Sequence, residues 1–140
     1  MSYIDSNSNR KHPYVIHRAI FGSLERFMGV YIEHTAGDFP FWISPIQLKV
    51  LPINQRNLDY SKKVLDLLSE SEYRAKLDLS AEKLGAKIRN SRLEKIPYLI
   101  IIGDQEEAEG KVQIRNRSGS ENASLSLDEL VGFLKQKADQ

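Results

Sequence analysis

The sequence predicts a mixed β-sheet packed with helices, in the order β-α-β-α-β-β-α, preceded by one strand–helix segment. Three observations carry that expectation. From Pro45 onward, strand-length segments alternate with segments of helical periodicity, the pattern of an α/β fold. Pro97 to Ile102 is almost wholly apolar, as a strand covered on both faces must be. Ser126 and Glu129 form a capping box in front of a last amphipathic helix.

Residues 5–12 are polar and read as a tail or turn. Tyr14 to Phe21 is apolar and predicts a strand, which Gly22-Ser23 ends. Leu24, Phe27, Met28, Tyr31 and Ile32 then recur at helical spacing on one face, and Gly37 stops the helix. Phe39 to Pro45 follows as an extended apolar connector whose prolines exclude a helix. Ile46 to Ile53 predicts a strand with Pro52 near its end, and residues 57–70 a helix with Leu58, Ser61, Leu65 and Leu68 inward. Tyr73 to Leu79 alternates as a strand. Residues 81–93 predict a second helix with Ala81, Leu84, Gly85 and Ile88 inward. Beyond the central strand, Gly103-Asp104 turns the chain. Lys111 to Arg117 reads as a further strand and Ser118-Gly119-Ser120 as a loop. The last helix buries Leu127, Leu130, Val131 and Leu134, with acids at its start and Lys135 and Lys137 at its end to complement the helix dipole.

A length of 140 residues suits one compact domain with a short extension. Apolar residues make up 41% and charged residues 28%, an ordinary globular composition. With no cysteine, disulfides and thiolate metal sites of this chain alone are excluded, which fits a cytoplasmic setting. The first residues lack the basic start and apolar core of a signal peptide. No apolar run approaches the roughly 20 residues that span a bilayer, so no membrane partner is expected.

The net charge of +1 says little, because the charges are unevenly placed. Residues 81–95 hold Lys83, Lys87, Arg89, Arg92 and Lys95 against Glu82 and Glu94. In 111–117, a period of two puts Lys111, Gln113, Arg115 and Arg117 on one face and Val112, Ile114 and Asn116 on the other. Such a face suits an anionic, base-bearing ligand such as RNA, because arginine grips phosphates and base edges alike. The solvated face of an edge strand has the same pattern. Both readings stand open on periodicity alone.

Two stretches go further. His17 to Phe27, with Ile32-Glu33-His34 and the connector from Phe39-Pro40 to Pro45, resembles motif 3 of class II synthetases as threonyl-tRNA synthetases carry it. Glu82 to Arg89, then Ile96-Pro97-Tyr98, Gly103-Asp104 and Gly110-Lys111-Val112, resembles the core of that family's anticodon-binding domain. The resemblance runs over nearly the whole chain in the right order. It implies a C-terminal remnant of a class II catalytic domain in residues 1–44 and an α/β anticodon-binding domain in 45–140.

The resemblance also implies roles. Arg26 would stack on the adenine of ATP, Ser23 would line the substrate pocket, and His17 would be one of three ligands to a catalytic zinc. Glu106 and Arg115 would read anticodon bases, with Lys83 and Arg89 beside the anticodon loop. The residues themselves leave other readings open: Arg26 pairing with Glu33, and Ser23 capping its helix. A zinc site takes about three protein ligands, so His17 alone cannot hold the metal tightly, and His12 and His34 lack a matching spacing. Ala81 stands where relatives commonly have asparagine.

The complete enzyme implied is an ATP- and zinc-dependent homodimer that threonylates tRNA(Thr). This chain offers no candidate for motif 1 or motif 2. It is therefore expected to be inactive alone and to hold neither ATP nor zinc tightly. Three accounts fit: part of a synthetase, a stand-alone tRNA-binding module without catalysis, or one half of a split synthetase with a separately encoded catalytic chain. Residues 14–43 are rich in aromatics with no catalytic sheet to cover them, so exposed apolar surface is expected there.

Overall fold

The computed structural model describes residues 1–138. Its centre is a five-stranded mixed sheet in the order β4-β3-β5-β6-β7. The strands are β3 (Leu48–Pro52), β4 (Ala75–Leu77), β5 (Tyr98–Ile102), β6 (Lys111–Asn116) and β7 (Asn122–Ser126). β3 pairs in parallel with β4 and β5, whereas β6 runs antiparallel to both β5 and β7. The helices of this unit are α2 (Leu58–Glu70), α3 (Leu84–Leu93), α4 (Asp104–Glu109) and α5 (Leu127–Ala138). Ahead of it lie a small hairpin of β1 (Tyr3–Ile4) and β2 (Arg10–Lys11), and α1 (Leu24–Thr35).

The pleat divides the core in two. Leu48, Val50, Ile100, Ile102, Val112 and Ile114 face one side, where Val64 and Leu68 of α2 and Leu130 and Leu134 of α5 cover them. Leu51, Leu99 and Ile101 face the other, beneath Leu84 and Ile88 of α3 and beside Ile96. All five residues of β3 and of β5 are buried, as an interior parallel pair requires. The capping box forms as expected: Glu129 accepts from the Ser126 N–H at 2.8 Å, and the Glu129 N–H reaches the Ser126 hydroxyl at 3.3 Å.

The structure departs from the sequence reading at several places. Tyr14 to Phe21 forms no strand; Tyr14, Ile16, Ile20 and Phe21 are exposed. A strand needs a partner for its backbone, and no neighbouring strand lies beside this segment among the described residues. The polar stretch before it takes the turn alternative of that reading, between two short strands. Asp5 Oδ1 accepts from the N–H groups of Asn7 and Asn9, both at 2.9 Å, and so closes the β1–β2 turn. The connector at 39–45 is not extended throughout, because the Pro40 carbonyl accepts from the N–H groups of Ile43 and Ser44.

Two elements of the sheet unit were not expected. Gly103-Asp104 opens the short helix α4 instead of a plain turn, and β7 adds an edge strand. β6 is therefore interior to the sheet. The α3 helix starts at Leu84, not 81, because Asp78 Oδ1 accepts from the Ser80 N–H and hydroxyl and holds 78–80 in a turn. Ala81 and Gly85 are exposed, and the fully buried α3 positions are Lys87 and Ser91. In α2 the buried face is Ser61, Val64 and Leu68, while Leu58 and Leu65 are only half-buried.

Candidate nucleic-acid interface

α3 lies over β3 and β5, so the same side of the sheet is left uncovered at β6 and β7. Because partners across an antiparallel pair share a face, Lys111, Gln113 and Arg115 of β6 align with Ser126, Ser124 and Asn122 of β7. Six polar side chains thus pave this side, while Val112, Ile114, Ala123 and Leu125 of the same strands turn toward α5. Lys111 is tied to Glu109 at 2.9 Å. The half-buried Arg115 guanidinium has no hydrogen-bond or ion-pair partner among the described residues, so its fork of donors is open to a ligand.

Gly119 lets Arg115 lie this way. A Cβ there would come within 2.6 Å of Arg115 Nη2 and 3.2 Å of Nε, and Gly119 has a φ of +83°. Both facts favour glycine in the β6–β7 turn. The turn is fastened by Asn116 Oδ1, which accepts from the N–H groups of Gly119 at 2.7 Å and Glu121 at 3.2 Å.

Glu106 belongs to the same face. Gly103 continues β5 in an extended conformation (φ −118°, ψ −172°), so its missing Cβ would point where Leu99 and Ile101 point. That Cβ would meet Glu106 Oε2 at 2.9 Å and Ile53 Cδ1 at 2.8 Å. The Glu106 carboxylate therefore sits on the α3 side, accepting from the Gly103 N–H at 2.9 Å. Arg115 stands opposite Leu99, toward the other end of β5. On the order of 13 Å of strand separates the two along the face, at about 3.3 Å per residue. They share a surface without touching, a spacing that suits contacts to more than one nucleotide.

Beside Glu106, the carboxyl ends of β3 and β4 open into a cleft of about 250 Å³ lined by Asn54, Gln55, Asp78, Ser80, Ala81 and Lys87. α2 and α3 leave these strands for opposite faces of the sheet, the place where open α/β sheets hold ligands. Burial pushes the Asp78 carboxyl up, but the Ser80 hydroxyl and N–H, with Lys49 and Lys87, outweigh it and hold the group below its ordinary value. Lys87 is buried and donates to the Pro52 carbonyl at 3.1 Å, so it is a wall of the cleft and not part of an outward basic stripe. Lys83, at the N-cap of α3, and Arg89, farther along it, are exposed with no side-chain partner among the described residues.

The other candidates are scattered. Ser23 caps α1: its hydroxyl accepts from the Arg26 N–H at 3.4 Å and donates to Glu25 at 2.7 Å. Arg26 is exposed and makes no ion pair with Glu33. His17 is exposed, and no group of three or more His, Asp or Glu among the described residues is arranged to hold a metal. The described residues do not form a zinc site.

Sequence reasoning missed Asn57. This buried amide donates to Asp104 at 3.0 Å and Glu107 at 2.7 Å, tying the start of α2 to α4 and so fixing the helix that carries Glu106. The β7 half of the polar face was also missed, although Asn122, Ser124 and Ser126 alternate with apolar residues in the letters themselves.

Comparison with known proteins agrees with this architecture. A family model described as "Anticodon binding domain" matches residues 47–137. A threonine–tRNA ligase of Chlorobaculum tepidum is 46% identical over 140 residues, covering 100% of this chain and 21% of the relative. One of Prochlorococcus marinus is 47% identical over 134 residues, covering 96% of the chain and 21% of the relative. The chain thus spans about a fifth of the length of these curated relatives. Among solved structures, the RNA binding domain of threonyl-tRNA synthetase from Cryptosporidium parvum Iowa II has a TM-score of 0.82 and 35% identity, covering 98% of this chain and 35% of that one. No helix among the described residues is long and apolar enough to cross a membrane. A sheet with an open polar face and these relatives lead to one assignment: the chain belongs to the anticodon-binding domain family and is homologous to the C-terminal, anticodon-binding part of threonyl-tRNA synthetases.

Proposed function

We propose that the uncovered polar face of β6 and β7, with Glu106 at its upper edge, reads the anticodon of tRNA(Thr). The half-buried Arg115 guanidinium, without a partner among the described residues, carries this reading. A cation left without an internal partner on a bare sheet face is a poor choice for stability and a good one for a base edge. Glu106 accepts from base amino or imino groups, and Lys83 and Arg89 supply phosphate contacts from α3. Ala81 offers no polar group at the cleft, so Ser80, Gln55 and Asn54 are left to supply hydrogen bonds there.

The test is a binding titration of the chain with tRNA(Thr) and with an anticodon-altered copy. Arg115→Ala is expected to weaken tRNA(Thr) by ~1–3 kcal/mol and to erase the preference for the native anticodon. Lys83→Ala should weaken both RNAs alike and lower the salt slope by about one. Equal loss on both RNAs for Arg115→Ala would overturn base reading by that residue.

In the complete enzyme this surface would serve ATP-dependent threonylation by a cytoplasmic homodimer, with zinc and the rest of the ATP site supplied by residues outside this chain. There Arg26 would stack on the adenine, and His17 would be one of three zinc ligands, the other two lying outside this chain. Alone, the chain is expected to give no threonine-dependent ATP–pyrophosphate exchange; a robust signal would refute that. α1 buries none of its residues, which supports a covering catalytic body, in the same or a separately encoded chain, over a stand-alone module.

A further inference from the structure

We propose that Asp38 and Arg117, with Lys95, form a polar clamp that sets the orientation of α1 on the sheet unit and joins it to the strand carrying Arg115. α1 makes no core contact: none of its residues is buried, and Phe27 and Tyr31 stack only along a ladder running from Phe21 to Phe39. Beyond that ladder, which ends on Phe39 of the connector, its ties to the sheet unit among the described residues are polar. The Asp38 carboxylate pairs with the Arg117 guanidinium, and Lys95 Nζ donates to the Ala36 carbonyl at the negative end of the helix dipole. Lys95 also lies against Gly37, where a Cβ would be 3.7 Å from both Cδ and Nζ.

Beyond the clamp the chain is fixed. Phe41 is buried between Tyr73 and Tyr98, and Arg74 donates to the carbonyls of Ser44 and Trp42. The movable stretch is therefore confined to the left-handed pair Ala36 (φ 52°) and Gly37 (φ 73°) and the residues up to Pro40. Space flanks it on both sides. One cavity of about 370 Å³ is bounded by Pro40, Pro97, Arg117, Ser118 and Lys137, and another of about 140 Å³ by Gly37, Phe39, Glu94 and Lys95. With open space on either side of this stretch, the Asp38–Arg117 pair and Lys95 are what hold its setting.

Arg117 links the joint to the polar face. It directly follows β6, two positions after Arg115 and at the mouth of the turn on whose Gly119 the Arg115 guanidinium rests. A ligand that lifts Arg115 off Gly119 acts on the turn that positions Arg117. By reciprocity, what orients α1 must also bias that face. This coupling rests on the RNA reading above; the clamp does not.

The absence of cysteine permits clean labelling, so the test uses nitroxides on Glu33→Cys in α1 and Asp66→Cys in α2, spin-diluted with unlabelled full chain. One narrow distance is expected at low salt, broadening at about 1 M salt, where charges are screened beyond about 3 Å. Asp38→Asn should broaden it at low salt, and the swap of Asp38→Arg with Arg117→Asp should restore it. A narrow distance in Asp38→Asn, or one unmoved by salt, overturns the clamp. Saturating tRNA(Thr), with binding followed by anisotropy, is expected to shift the distance when Arg115 is present and not in Arg115→Ala. RNA that binds without a shift overturns the coupling and leaves anticodon reading intact. RNA that does not bind overturns the reading, while salt and the Asp38 variants still judge the clamp.

Discussion

Helices α1 and α2 are nearly equal in length, 12 and 13 residues, and both carry an apolar stripe at helical spacing. Their fates differ. α2 sinks Ser61, Val64 and Leu68 into the main core, whereas α1 buries nothing and leaves Leu24, Val30 and Ile32 exposed. Periodicity states that a face wants cover, and tertiary structure alone states what covers it. α1 keeps its shape by local means: the Ser23 cap, the Phe27–Tyr31 stack, and a C-terminal turn in which Ala36 and Gly37 N–H groups return to Glu33 and Ile32. A helix this short is marginal on such terms.

The largest test of that contrast is truncation of one buried and one exposed leucine-sized side chain. Leu68→Ala should cost ~2–5 kcal/mol in urea unfolding, and Ile32→Ala less than about 0.5. Comparable losses would mean that α1 is packed in solution. Glycines sharpen the point. Gly103→Ala forces a Cβ against Ile53 and Glu106 and is expected to destabilise by about 1–3 kcal/mol while displacing the Glu106 carboxylate from the Gly103 N–H. Gly29→Ala in α1 meets nothing within 4 Å. It should raise helicity measured by circular dichroism, by up to about 1 kcal/mol.

Acid gives the smallest contrast. Asp104 is held below the ordinary carboxylate value by Asn57 and then Arg56, and Asp5 by Lys11 and the Asn9 N–H. A carboxylate with a lowered folded pKa contributes stability that is present above its unfolded value of about 3.9 and is lost as pH falls through the folded value. Both groups should titrate low by NMR. Protonation of Asp104, together with Asp78, should lower the unfolding midpoint of the sheet unit below about pH 4. That of Asp5 should loosen only its hairpin.

Much of the sheet unit was legible. The apolar run at 98–102, the alternation at 111–116 and the Ser126–Glu129 box each encode their structure locally. β7 escaped because Asn, Ala and Ser are weak strand formers and its alternation rests on small side chains. α4 escaped because a Gly-Asp pair also signals a turn; the Glu106–Gly103 N–H bond, the left-handed Gly110 and the tie to Asn57 together make it a helix platform. The strand expected at 14–21 failed for the opposite reason: its letters suit a sheet, but among the described residues no strand stands beside it. Arg115's outward direction followed from period two. That Glu106 lies on that same side depended on Gly103 having no side chain, which spacing does not reveal.

Phe41 has a practical consequence for dissecting the molecule. Its ring is wedged among aromatic neighbours of the sheet unit although it precedes Pro45 in the connector. Proteolysis near Asp38 would release α1 and leave the interior whole. A fragment trimmed to Pro45 would instead lose a ring from its centre, so its behaviour would report an opened core and not the removal of a neighbouring body.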